Sequence, residues 1–364
     1  MQGGGAERVA ALLCNHWVAS GYDVILMPTF SGRGECLYPL DSRVQLDYLA
    51  DRVKSRRRSV VNQVRRFLAL RNAIRDLAPD IVVSFLPHVN VAAVLAASGL
   101  NARNIVSERS YPPAMPVGAV LECMRRVAYA RATGVVVQTE RTLEWLARTC
   151  PGARGHIVAN PAIYPLADGE PVLGPGNVVG ANSRLVLAAG RLGKQKGFDR
   201  LIGAFRPLAE RYAEWDLVIL GEGPERAPLE RLRADLGLVG RVHLPGRVGN
   251  VADWYARSAF YVLSSRFEGF PNSLLEAMAH GLPAVSFDCD AGPRDIIRPN
   301  VDGFLVPPDA GERGLSEAMD TMMEDEEKRR TMTKAATEVR ARFSIERIAA
   351  EWERVLGWEE TPDV

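Results

Sequence analysis

Short unbroken runs of aliphatic residues alternate along this chain with longer stretches in which apolar residues recur every three or four positions. The runs are DVILM (23–27), DIVVSF (80–85), NIVSE (104–108), GVVVQ (134–138), LVLAAG (185–190), DLVILG (216–221), FYVLSS (260–265) and PAVSFD (283–288). Val, Ile and Leu without polar alternation predict strands buried on both faces. The stretches between them carry helical periodicity. Strand and helix in alternation predict an α/β protein of parallel sheets flanked by helices.

One segment breaks the rhythm. DGEPVLGPGNVVGANS (168–183) is rich in glycine and proline and has little periodicity, which predicts a linker. A chain of 364 residues has room for two domains of ordinary size. The expected division is 1–167, the linker 168–183, a second domain over 184–343, and a last helix with tail over 344–364. Two doubly wound halves would present their strand carboxyl ends, where ligands bind in such sheets, to one cleft.

Composition narrows the classes. The longest apolar stretches, such as 89–97 and 132–137, fall far short of the ~18 residues of a bilayer span. With no basic and apolar leader visible at the amino terminus either, the expected location is the cytoplasm. The five cysteines are far apart and form no CxxC, so neither a disulfide framework nor a zinc site is expected. No two histidines stand four residues apart on one helix face, which argues against a histidine metal centre. The net charge of +1 hides an asymmetry: residues 1–165 hold 20 Lys and Arg against 12 Asp and Glu, a balance of +8, and the remainder carries −7.

The chemistry concentrates in SSRFEGFPNSLLEAMAHGLP (264–283). A strand ends, Gly269 and Pro271 turn the chain, and a helix starts near Asn272. The unpaired amides of its first turn, over Asn272, Ser273, Leu274 and Leu275, suit a diphosphate. Glu268 and Glu276 bracket them. Glu276 could equally form a capping box with Ser273; Glu268, between strand end and tight turn, has no comparable structural duty.

E268-GFPNSLL-E276 resembles the E-x7-E signature of family 4 retaining glycosyltransferases of GT-B fold. The resemblance continues through GRLGKQKGFDRLI (190–202), LVILGEGPER (217–226), VHLPGRVGNVADWY (242–255), GPRDII (292–297) and DGFLVPP (302–308). The amino half, with GGGAERV (3–9) and VSERS (106–110), is similar to the branch that builds bacterial surface glycans and lipid-linked oligosaccharides. The resemblance implies two Rossmann-like domains, with the last helix returning to the first.

It also implies roles. Arg191 and Lys196 would hold the donor diphosphate, Glu268 the donor sugar hydroxyls and Glu276 the ribose. Gly246 and Arg247 would lie near the base, and Glu222 would line the site. From the first domain, Gly4 and Gly5 would let backbone approach phosphate or acceptor. Glu108 stands where much of the family has a histidine; with Arg109 and His88 it forms the acceptor-side set.

The implied reaction moves a hexose or N-acetylhexosamine from a nucleotide diphosphate sugar, UDP-linked, to a glycan or polyprenyl-diphosphate-linked glycan hydroxyl with retention. No cofactor, metal or nucleic acid is implied, and the DxD at Asp288-Cys289-Asp290 is too weak a signal to alter that. The alternatives are an epimerase of the same fold and a non-catalytic nucleotide-sugar-binding protein.

Two features stand outside the motif blocks. Residues 52–75 hold nine Arg and Lys and no acid, with Val60, Val64, Phe67, Leu68 and Ile74 at helical spacing. They predict either a solvated helix face or docking on an anionic membrane surface, peripheral on its inner face. The chain also begins at the glycine turn that in the family follows the first strand, so that strand is expected to be missing from the amino domain, either because the start was placed too late or because the domain lacks it.

Overall fold

The computed structural model describes residues 5–29, 38–53 and 60–357. The chain divides into two compact units, Met1–Pro161 with Ile345–Val364, and Ala162–Ser344.

The first unit contains β1 (Ile25–Leu26), β2 (Gln45–Leu46), β3 (Ile81–Phe85), β4 (Arg103–Ser107), β5 (Gly134–Val137) and β6 (Gly155–Ile157). Its helices are α1 (Gly5–Ala19), α2 (Leu49–Val53), α3 (Val60–Leu77), α4 (Pro87–Ala97), α5 (Ala119–Tyr129) and α6 (Glu140–Thr149). Strands β3, β4, β5 and β6 form a parallel sheet in chain order. Right-handed crossovers between strands added in order put α4, α5 and α6 on one face. Val91, Val94, Val106, Tyr129, Val135, Val137 and Leu146 fill the space between.

Among the described residues β3 is the edge of its sheet. β1 and β2 pair in parallel as a separate two-stranded ribbon, and among the described residues no strand joins them to β3. β5 is buried along its whole length, whereas Ile81, Val82 and Val83 of β3 are only half-buried. An edge strand without a neighbour opens more readily than a central one. Amide exchange over Ile81–Phe85 is therefore expected to run well ahead of that over the central strand Trp215–Leu220; equal protection would contradict an open edge.

The second unit alternates β7 (Arg184–Ala189), α7 (Phe198–Arg211), β8 (Trp215–Leu220), α8 (Arg226–Asp235), β9 (Val242–Gly246), α9 (Val251–Arg257), β10 (Phe260–Leu263), α10 (Asn272–Ala279), β11 (Ala284–Phe287), α11 (Pro293–Ile296) and β12 (Gly303–Val306). Helices α12 (Gly311–Glu324), α13 (Glu326–Ala336) and α14 (Val339–Arg342) follow. The six strands are parallel in the order β12-β11-β10-β7-β8-β9. Strand order reverses between β7 and β10. In open α/β sheets a crevice forms at such a reversal, outside the strand carboxyl ends.

The expected linker is not free. Gly169 donates its amide to the Gly249 carbonyl at 3.1 Å, and Leu173 exchanges hydrogen bonds with the Asn250 side chain. The Trp254 indole also donates to the Leu173 carbonyl, at 2.9 Å. A side chain at Gly249 would overlap the Gly169 backbone. Residues 169–173 are thus packed as part of the second unit, with Gly249 allowing the close backbone approach.

The last helix, α15 (Ile345–Leu356), belongs to the first unit and packs on α1. Trp352, fully buried, meets Trp17 edge-on at 6.1 Å and Phe85 at 6.1 Å.

Candidate functional site

At the β7–β10 reversal two loops are stitched together. The chain leaves β7 through Gly190, Arg191 and Leu192, makes a 3₁₀ turn over Lys194–Lys196 and enters α7 through Gly197. Gly197 has φ of 63°, and a Cβ there would run into the Ser264 carbonyl of the loop after β10. The Ser264 hydroxyl donates to the Lys196 carbonyl at 2.9 Å, the Arg266 amide to the Gln195 carbonyl at 2.8 Å, and the Gln195 side chain to the Phe267 carbonyl at 3.1 Å. Arg266 also forms a fork with Asp199.

This seam positions the central pair. The Lys196 Nζ donates to Glu268 Oε1 at 2.7 Å, and the Ser265 hydroxyl reaches the same oxygen at 2.6 Å. Glu268 is buried and Lys196 half-buried. Burying a carboxylate is costly unless hydrogen-bond donors of this kind meet it. Arg191 differs from both: it is exposed, and among the described residues its guanidinium has no hydrogen-bond or ion-pair partner. Lys196, paired with Glu268, and the exposed Arg191 therefore both stand in the loop that follows β7.

Helix α10 starts over the same crevice. Its cap residue, Pro271, supplies no side-chain hydrogen bond, so a Ser273–Glu276 capping box is not what begins it. The Ser273 hydroxyl instead lies 2.9 Å from the Tyr261 hydroxyl, which donates to the Ala189 carbonyl at 3.0 Å, tying the helix start to β7. Burial pushes the Tyr261 phenol well above its ordinary value. Leu274 requires a correction. Its side chain is fully buried and its amide bonds the Pro271 carbonyl at 3.1 Å, as does that of Leu275 at 3.2 Å. Tightening of the first turn uses these amides internally, which narrows the anion-facing end to Asn272 and Ser273. Glu276 lies half-buried in the second turn.

The ends of β7, β8 and β9 close on one another. A side chain at Gly221 would overlap the Gly190 carbonyl, and the Gly221 amide donates to the Gly246 carbonyl at 2.8 Å. The exposed Glu222 carboxylate is held by Arg226 at 2.8 and 2.5 Å, which keeps it below the usual carboxylate range. Gly246 sits beside Glu222, and Arg247 is exposed next to it. Of the DxD, Asp288 is taken by Arg294 through two hydrogen bonds of 2.9 Å, and Cys289 is buried.

The remaining site residues lie in the first unit. Gly4 falls outside the described residues, and Gly5 is the first residue of α1. Glu108 does not face outward: its side chain is fully buried, accepts the Tyr129 hydroxyl and sits 3.4 Å from Arg125, which also pairs with Glu122. A buried guanidinium demands such a counter-charge, so Glu108 reads as structural support for Arg125. Burial raises its carboxyl. His88 is exposed in the first turn of α4.

Arg109 donates to Asn160 Oδ1 at 2.8 Å and lies between the Phe85 and Trp352 rings at 4.9 and 5.5 Å. Its Nε and Nη2 are buried with no hydrogen-bond partner, and burial pushes its pKa down to about 9. Asn160 would keep the Gln138 amide at 2.6 Å without it. Arg109→Met is thus expected to leave unfolding free energy unchanged or raise it by up to ~2 kcal/mol, because an under-paired buried charge costs more than an apolar side chain of that volume. A lower urea midpoint would contradict this.

The basic segment 52–75 is described only in part, with 54–59 outside the described residues. Its apolar stripe splits: Leu70, Ala73 and Ile74 face the core, and Val61, Val64 and Leu68 face outward.

Two family models match the chain: Glycosyltransferase Family 4 over residues 3–162, and Glycosyl transferases group 1 over residues 177–339. The chain belongs to the family 4 glycosyltransferases of GT-B fold. This glycosyltransferase is 30% identical over 97% of its length to an exopolysaccharide phosphotransferase of Streptomyces coelicolor, of which it spans 39%. It is 27% identical, over 98% of its length and 96% of the relative's, to a Campylobacter jejuni N-acetyl-D-galactosaminyltransferase whose name specifies a diphospho-undecaprenol-linked substrate. Among solved structures, Anabaena HepE in complex with UDP and glucose superposes with a TM-score of 0.79, covering 97% of this chain and 96% of that one at 19% identity, a likeness of fold.

The family 4 motifs left three supports of the glycosyltransferase site unnoticed. Ser265, Tyr261 and Gly197 join the β7 and β10 loops. Tyr261 carried one local signal, a hydroxyl within an otherwise apolar strand run, where a buried phenol needs a partner.

Proposed function

We propose that this glycosyltransferase moves a hexose or N-acetylhexosamine from a UDP-sugar to a hydroxyl of a glycan on a polyprenyl diphosphate carrier, with retention and without a metal. The observation that carries the reading is the crevice at the β7–β10 reversal, where Arg191, exposed and without a partner among the described residues, the Lys196–Glu268 pair and the start of α10 converge. Arg191 and Lys196 neutralise the diphosphate and stabilise the charge that grows on it as the anomeric carbon–oxygen bond breaks. Glu268 receives a donor-sugar hydroxyl on its second oxygen, and Glu276 receives the ribose. The acceptor oxygen bonds the anomeric carbon on the face the diphosphate leaves, and its proton passes to the departing phosphate oxygen. The carrier is argued from the Campylobacter relative's substrate, and the basic run 52–75 suits the anionic surface such a carrier occupies.

A thermal-shift screen across UDP- and GDP-sugars tests the donor. A ligand at a hundred times its dissociation constant adds about 2.7 kcal/mol to stability, and a UDP-sugar is expected to give the largest shift. Transfer should persist in EDTA, and the product should keep the donor's anomeric configuration by NMR. If no nucleotide sugar shifts the transition, the donor reading fails.

A further inference from the structure

Lys196 stands in a short 3₁₀ turn, Lys194–Lys196, with Gly193 on one side and Gly197 on the other. Glycine on both flanks leaves such a turn little stiffness of its own, so whatever fixes its ammonium comes from outside it. The side chain has a set path. A Cβ at Gly190 would lie 3.0 Å from Lys196 Cε, so the stem crosses that glycine on its way to Glu268. Where Nζ ends therefore depends on where the turn is anchored.

One side chain anchors it from both ends. Arg266, two residues before Glu268, donates through Nη1 to the Lys194 carbonyl at 2.8 Å and forks onto Asp199, in the first turn of α7, at 2.8 and 2.6 Å. Lys194 and Asp199 bracket Lys196 in the chain, so a single guanidinium ties the residues before and after it to the loop that carries Glu268. A Cβ at Gly197 would come within 3.4 Å of Arg266 Nη1, so that position too is shaped around the fork. The fork holds the Asp199 carboxyl below its usual range. A half-exposed ion pair contributes little to stability, but a planar, bidentate one fixes geometry.

We infer that Arg266 and Asp199 form a positioning pair that holds the Lys196 ammonium in register with Glu268 for the transfer step. The pair acts through Lys196, and its part in transfer rests on the role proposed above for Lys196 at the donor diphosphate.

Two readouts on the full chain test this. The first is the proton–nitrogen spectrum of the lysine ammonium groups without ligand, in which Lys196, one of only five lysines, is identified by the signal lost in K196R. R266Q is expected to shift that signal and to speed its proton exchange, since an ammonium held in an ion pair exchanges slowly. The second is transfer of the sugar to water, read as UDP release from the UDP-sugar with the largest thermal shift. R266Q is expected to lower kcat about tenfold while the donor dissociation constant stays within about threefold, because a displaced ammonium loses more in the transition state than in the ground state. D199N should do the same in smaller measure, and R266K should recover part of the loss. D199N/R266Q should be no slower than R266Q, the mark of two residues acting as one. R211Q, which breaks a 2.7 Å ion pair at the far end of α7, should leave kcat unchanged.

A Lys196 signal in R266Q identical to that of the parent overturns the inference. So does an equal loss of kcat in R211Q, which would mark a general loosening of α7. A perturbed signal with unchanged UDP release supports the hold on Lys196 and removes Lys196 from the donor site instead.

Discussion

Replacing Arg191 by alanine is expected to lower kcat/KM for glycosyl transfer by about 10²–10³-fold, the effect of removing one preorganised donor to a developing negative charge. The same change should leave the urea midpoint where it was. Its guanidinium is exposed and has no partner among the described residues, so its removal orphans nothing. The backbone beside it is held independently, by the Leu192 amide on the Glu222 carbonyl at 2.9 Å and the Gly193 amide on the Arg191 carbonyl at 2.7 Å. Arg191→Lys should recover only part of the loss, because an ammonium restores charge but not the planar fork that meets two phosphate oxygens. Steady-state kinetics with the donor found by thermal shift, beside urea denaturation, checks both halves. Unchanged kcat/KM would remove Arg191 from the diphosphate site.

Glu268→Ala should strike both activity and stability. The carboxylate is buried and receives Lys196 at 2.7 Å and Ser265 at 2.6 Å, so its loss strands an ammonium and a hydroxyl in a seam with little water. Breaking one side of a buried pair costs about 3–5 kcal/mol; Lys196, at 18% side-chain exposure, retains some solvent and places the expectation at the lower end. Transfer should fall by about 10²-fold or more through lost donor orientation. Lys196→Ala/Glu268→Ala should be more stable than Glu268→Ala alone, since it removes the stranded charge as well. If the double variant is the less stable, the pair is not coupled as the geometry requires.

Local chemistry explains which parts of this site could be read from the chain. Glu268 and Glu276 belong to one strand–turn–helix unit, whose offset along the backbone is the same in any molecule that folds it. Arg191 and Lys196 likewise follow directly from the end of β7. Leu274 fell inside the motif yet lost its role, because the carbonyl that binds its amide, on Pro271, is indistinguishable in sequence from one left open to a ligand. Glu108 was misread for a related reason. Its partners Tyr129 and Arg125 lie 21 and 17 residues away on another helix, and only packing turns that carboxylate inward.

The alternation of strand and helix, the family, and the residues at the strand ends are legible along the chain, because hydrophobic periodicity and strand-to-helix turns are local properties of the backbone. Packing settled what remained. It placed 169–173 in the second unit, joined the β7 and β10 loops through Tyr261, Ser264 and Ser265, and buried Glu108. Each of these depends on which distant groups share a hydrogen bond or a contact, and that is fixed only when the whole chain has packed.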